Sequence, residues 1–154
     1  MGSDGESAAP APAGAGAGGP DDPLIVLDTH AWLWLCLEPG RLSAAAARAI
    51  REAMGSGGLA IASITLWEVA MLVARGRVVP QGTPEAWLRA LIDRSDVVVK
   101  EITPTIAAMA THVPDDFPGD PADRLIAATA RAEGAPLVSR DGGMRASRLV
   151  HTIW

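Results

Sequence analysis

Five short apolar runs, each set off by turn or helix signals, constrain this chain more than any other feature. They are Leu24-Ile25-Val26-Leu27, Leu59-Ala60-Ile61, Val97-Val98-Val99, Pro136-Leu137-Val138-Ser139 and the segment Leu149 to Ile153. Runs that stay apolar without alternating are those of strands covered on both faces. Between them lie helical patterns. Ala31 to Leu37 ends at Pro39-Gly40, and Ser43 caps an Ala-rich helix from Ala44 to Met54 with Arg48 and Arg51 outward. Ser63 or Thr65 caps a helix that Gly76 stops, and Thr83-Pro84 opens one reaching about Arg94. Thr103-Pro104 opens another to about His112. After a loop from Val113 to Gly119, Asp120-Pro121 starts a helix that closes at Gly134. Strand alternating with helix predicts an α/β fold, a mainly parallel sheet flanked by helices in three α/β/α layers. Sites in such sheets form beyond the carboxyl ends of the strands, at a point where the strand order switches.

The chain has 154 residues. Residues 1–22 are rich in Gly, Ala and Pro and lack large apolar side chains beyond Met1. Such a segment buries too little to offset its ordering entropy, so it is expected to be a disordered tail. It has neither the basic start nor the apolar core of a signal peptide. Residues 23–154 are expected to form one domain. No run suits a membrane span, and the single cysteine, Cys36, precludes an internal disulfide and suits a reducing cytoplasm.

The net charge of −5 argues at first against a nucleic-acid partner. The tail, however, holds Asp4, Glu6, Asp21 and Asp22 and no base, which leaves 14 acids against 13 bases in the remainder. Twelve of those bases are Arg, the side chain suited to phosphate. This charge distribution permits RNA binding without requiring it.

Four carboxylates stand where an α/β site belongs. Asp28 follows the run LIVL, as ligand or helix cap. Glu68 interrupts the apolar segment Ile64 to Val73, whose pattern predicts a helix buried all round. A carboxylate there needs a cation, an Arg partner or an opening to solvent. Asp123 falls at the third position of the helix that Asp120 caps, where it either completes the cap or reaches the site. Asp141 follows the strand at Leu137-Val138, but Asp141-Gly142-Gly143 is also a turn signal. The chain has no His/Cys cluster with zinc spacing, no phosphate loop and no serine nucleophile elbow. Oxygen-only ligands select Mg²⁺ or Mn²⁺, ions that support phosphodiester hydrolysis.

The segments LIVLDTHAWLWL (24–35), ASITLWEVAMLVARGRV (62–78) and GDPADRLIAATARAEGAPLVSRD (119–141) resemble the PIN-domain family, and within it the VapC-like toxins of bacterial toxin–antitoxin pairs. The resemblance covers essentially all of 24–154. It implies a Mg²⁺-dependent endoribonuclease, homodimerisation, RNA as substrate and a cognate antitoxin. The family's acidic residues fall on Asp28, Glu68, Asp123 and Asp141, with Asp120 as an extra acid. Its supporting hydroxyls fall on Thr29 and Ser139. The alternatives are a PIN-like module that binds RNA or a protein without catalysis, and a metal-dependent nuclease acting on DNA or a phosphatase.

Other residues carry open readings. His30 either assists the site or is a partly buried polar group. Arg124 meets phosphate or pairs with an acid. Arg140, Arg145 and Arg148 form a solvated face or contact RNA. Trp32, Trp34 and Trp67 are expected in the core or an interface, and Cys36 as a small buried hydrophobe.

Overall fold

The computed structural model describes residues 24–154; the tail expected over residues 1–22 lies outside the described residues. Strands β1 (Ile25–Leu27), β2 (Leu59–Ala62), β3 (Val97–Lys100), β4 (Leu137–Val138) and β5 (Thr152–Ile153) form a sheet of order β3-β2-β1-β4-β5. Every pairing is parallel. The helices are α1 (Thr29–Leu37), α2 (Ala44–Met54), α3 (Ser63–Ala74), α4 (Pro84–Ser95), α5 (Pro104–Thr111), α6 (Pro121–Ala132) and α7 (Gly142–Ala146), with a 3-10 turn at Pro39–Arg41.

Strand parity separates two cores. Ile25, Leu27, Leu59 and Ile61 face one side, where they meet Trp32, Ile50, Val69, Trp87 and Leu91 from α1 to α4. Val26, Ala60, Ala62 and Leu137 face the other, against Phe117, Ile126, Ala130 and Met144. A parallel strand buried on both faces must be apolar at consecutive positions, which is why these runs do not alternate. The small Ala60 and Ala62 leave room for α6 to approach β2 on that side. α2 turns Ala46, Ile50 and Ala53 inward, positions one and two turns apart, while Arg48 and Arg51 stay exposed. Gly76 and Gly134 take φ of +70° and +60° just past α3 and α6, so each stops its helix by a conformation that a side chain disfavours.

Several local expectations are corrected. Ala62, not Ser63 or Thr65, precedes α3, and it supplies no side-chain cap. Ser63 is the first helical residue, and Thr65 is fully buried with its hydroxyl engaged elsewhere. α3 is not buried all round: it fully buries only Thr65 and Val69, and Trp67 is 57% exposed. Leu66, Leu72 and Val73 pack on the core from α3, and among the described residues nothing covers Trp67 on its outer side. The Asp141-Gly142-Gly143 turn signal opens α7, because Asp141 accepts from the Met144 amide (2.8 Å) and caps a helix there. The last strand shrinks to Thr152–Ile153, and Cys36 is half-buried.

The chain adds β2 and β3 on one side of β1, then crosses to place β4 and β5 on the other. The switch between β1 and β4 therefore opens a crevice beyond their carboxyl ends.

Candidate active site

Asp28 and Ser139 leave β1 and β4 at that crevice. The Asp28 carboxylate is 7% exposed and occupied on both oxygens. Oδ1 accepts from the Thr29 amide (2.8 Å), capping α1 as expected of Asp at that position, and Oδ2 accepts from the Ser139 hydroxyl (2.8 Å). Cap and cleft residue are thus one side chain. Ser139 Oγ in turn accepts from the Asp141 amide (3.1 Å), so one buried hydroxyl links the acids following both strands.

Glu68 enters from α3. Thr29 Oγ1 donates to Glu68 Oε1 (2.5 Å) and lies 3.1 Å from Thr65 Oγ1. A hydroxyl carries one proton, so Thr29 spends its own on Glu68 and accepts that of Thr65. Asp120 caps α6 through the Ala122 amide (2.8 Å), which leaves Asp123, one turn into the helix, to face the cleft. The cleft has a volume of about 530 Å³, and Asp28, Glu68, Asp120, Asp123 and Asp141 all line it. Thr29, His30, Trp34, Arg41 and Arg140 complete it.

The electrostatics of this cleft are unbalanced. Among the described residues, none of the five carboxylates is ion-paired with Lys or Arg, so Glu68 has no Arg partner of the kind its sequence position allowed. Burial raises the Asp28 carboxyl above its ordinary range, and the hydrogen bonds from Ser139 and Thr29 only partly offset it. Burial likewise raises Glu68, with Thr29 opposing and the Asp28 and Asp120 charges adding to the rise. Asp123 is pushed up to about 7, first by burial and then by Asp28, Asp120, Asp141 and Glu68. A bound cation would remove that repulsion. Among the described residues, no three His, Cys, Asp or Glu side chains form a ready metal cage. An open set of oxygen ligands nonetheless fits a hydrated Mg²⁺, which keeps several waters and binds through one or two carboxylates.

The model for the PIN domain matches residues 25–148 of this chain. The chain belongs to the PIN-domain family. It is 41% identical to Ribonuclease VapC22 of Mycobacterium tuberculosis (strain ATCC 25618 / H37Rv) over 132 residues, which are 84% of this chain and 98% of that protein. Its fold is similar to that of a chain in the structure of VapBC2 from Rickettsia felis bound to a promoter DNA fragment. That similarity has a TM-score of 0.62 at 17% identity and covers 84% of this chain and 96% of the other. A toxin–antitoxin complex from Klebsiella pneumoniae gives a TM-score of 0.57 at 19% identity, over 82% and 94% of the two chains.

Within this PIN domain the structure gathers all four acids expected from the sequence, together with Asp120, Thr29 and Ser139. Arg140 joins the cleft wall, whereas Arg145 and Arg148 are exposed and do not line it. Arg124 donates to the Pro118 carbonyl (3.3 Å). Sequence reasoning missed three residues near the site. Thr65 lies in an apolar helix as a cap candidate, Trp34 reads as core or interface, and Arg41 follows a Pro-Gly break. The i, i+3 spacing of Thr65 and Glu68 was the one available clue to a shared helix face.

Proposed function

We propose that this protein is a Mg²⁺-dependent endoribonuclease, with Mn²⁺ as a substitute, and the toxin of a toxin–antitoxin pair acting in the cytoplasm. The observation that carries the reading is five carboxylates in one cleft beyond the carboxyl ends of the strands, with no ion-paired base among the described residues. The name of the 41% identical relative, a ribonuclease, gives the reaction class. Residues 23–154 are the proposed nuclease unit.

Asp28, Glu68, Asp123 and Asp141 hold the ion or ions, with Asp120 as an additional acid. When bound, a divalent ion lowers the pKa of a water and offsets charge developing on the phosphodiester. Ser139 fixes one oxygen of Asp28 and leaves the carboxylate a single orientation. Thr29 does the same for Glu68. Rigid ligands of this kind lose little entropy when an ion or substrate arrives. No side-chain base is required of His30 by this chemistry.

The exposed Trp67 on α3 supports homodimerisation or the seat of the antitoxin. The antitoxin partner itself rests on the kinship with toxin–antitoxin structures.

Purified protein is incubated with single-stranded RNA, single-stranded DNA and a phosphomonoester, each with Mg²⁺ or EDTA. Cleavage of RNA alone, lost in EDTA and in Asp28→Ala, is the expected result. Cleavage that survives both treatments removes the metal mechanism. Binding without cleavage favours a non-catalytic module, and preferential cutting of DNA or the monoester reassigns the substrate. Co-expression with the neighbouring small reading frame should yield a complex and relieve growth arrest.

A further inference from the structure

The acids occupy one part of the cleft lining; a second part is basic and aromatic. Trp34 on α1 is the centre of this second group. The Arg41 guanidinium carbon lies over its ring, 4.6 Å from the centroid, and that of Arg140 lies 5.8 Å away. His30 and Trp154 pack on the same ring at tilted angles, with centroids 5.8 and 5.6 Å distant. Trp34 is 8% exposed, too covered to offer a face to a nucleic-acid base. Its ring instead serves as a pedestal for two cations.

Their placement runs against simple electrostatics. Arg140 follows directly on Ser139 and shares a cleft with five carboxylates, yet among the described residues it is ion-paired to none of them. Among the described residues Arg41 is ion-paired only with Glu38, at 3.9 Å and well exposed. Attraction to a ring uses none of the five N–H donors of a guanidinium, so the fork of Arg140, and that of Arg41 beyond its exposed 3.9 Å pairing with Glu38, can receive an anion. Arginine forks match phosphate in geometry and bind it through two parallel bonds. A polyanion entering a cleft lined with carboxylates needs such compensation in addition to any cation.

We propose that Arg41 and Arg140, held over Trp34, form a phosphate-binding wall that grips the RNA backbone beside the reacting phosphodiester. The proposal rests on the nuclease reading for its substrate, and it assigns a site that the acids do not provide. Arg41 and Arg140 contact the strand. Trp34 is a positioning residue that acts through them.

The test uses a fluorescein-labelled single-stranded RNA of about ten nucleotides. Binding is followed by anisotropy with Mg²⁺ across a salt series, in an Asp123→Asn background that prevents turnover. Each of Arg41→Ala and Arg140→Ala should raise Kd about tenfold, and each should reduce the slope of log K against log salt by about 0.7, one phosphate contact on a single strand. Arg140→Lys should restore the slope while recovering only part of the affinity, because Lys keeps the charge and loses the fork. Trp34→Leu should weaken binding while leaving the salt slope near that of the Asp123→Asn background. Arg48→Ala, on the exposed side of α2, should change neither quantity. Circular dichroism of each variant confirms the fold.

The same arginine variants are then assayed for cleavage with Asp123 intact, where KM should rise and kcat should stay within about twofold. Kd and salt slope indifferent to both arginines would overturn the wall even if the protein cuts RNA. A protein that binds RNA through both arginines yet never cuts it would overturn the nuclease reading and leave the wall standing.

Discussion

Replacing Asp123 by Asn removes one negative charge from a cleft that holds five carboxylates and, among the described residues, no ion-paired base. The folded-state pKa of Asp123 is about 7, above the ordinary 3.8 expected when the chain unfolds. Between those values the folded protein retains a proton that the unfolded chain has released. Stability therefore falls as pH rises through the window, and the full cost is present above about 7. A change of this size corresponds to at most about 4 kcal/mol. Asp123 is only half-buried and solvent screens its neighbours, which reduces the expected cost to about 1–2 kcal/mol. Asn keeps the shape without the charge. In EDTA near pH 8, Asp123→Asn should melt about 3–8 °C above the native sequence, converting that cost by the usual entropy of unfolding. Near pH 4 the two should melt within a degree or so of each other. Added Mg²⁺ should raise the melting temperature of the native sequence and do so less for the variant, because an ion that binds only the folded state stabilises it by mass action. Scanning calorimetry at both pH values measures all of this. An Asn variant that melts at or below the native sequence near pH 8, or a gap that does not change with pH, would refute the charge-repulsion account.

Mg²⁺ affinity, measured by titration calorimetry, should climb up to about tenfold per pH unit below 7 and flatten above it, since the ion displaces the proton on Asp123. Ser139→Ala should lower RNA cleavage about 10- to 100-fold, because Asp28 Oδ2 loses the hydroxyl that orients it; unchanged turnover would remove Ser139 from the site. Thr65→Val removes the proton that Thr29 accepts while nearly preserving volume, and should reduce kcat severalfold at constant melting temperature only if the Thr65-Thr29-Glu68 chain orients Glu68. Ser95→Ala leaves the buried Trp32 indole N–H, now bonded to Ser95 Oγ at 2.9 Å, without a partner and should cost about 1–3 kcal/mol in urea unfolding.

The sequence by itself determined the layered α/β fold, because short apolar runs bounded by turn signals alternate with longer helical patterns, and a strand covered on both faces must be apolar at consecutive positions. It also placed Asp28 and Asp141 at strand ends, since chain direction alone decides which end of a parallel strand an acid follows. Joint placement marked the four acids as a set and the resemblance to a known family gave that set its chemistry; singly, their local patterns left Asp28 a ligand or a cap, Asp141 a turn signal and Asp123 a capping or a site residue. Tertiary structure decided what those patterns could not. Thr65 and Glu68 meet Thr29 only because β1 and β2 pair in register and carry α1 and α3 to the same end of the sheet. Ser139 meets Asp28 across 111 residues for the same reason on the other side of β1. Trp34 is buried, as its apolar helix position suggested, but hydropathy cannot show that its ring also carries two guanidinium groups beside a cleft. Periodicity also cannot tell whether an apolar helix is enclosed by its own chain or left open, as α3 is at Trp67. Local sequence sets the conformation and polarity of each segment. Register and crossover determine which side chains share a volume, and the repulsion, hydrogen bonding and cation demand of this cleft arise only from that sharing.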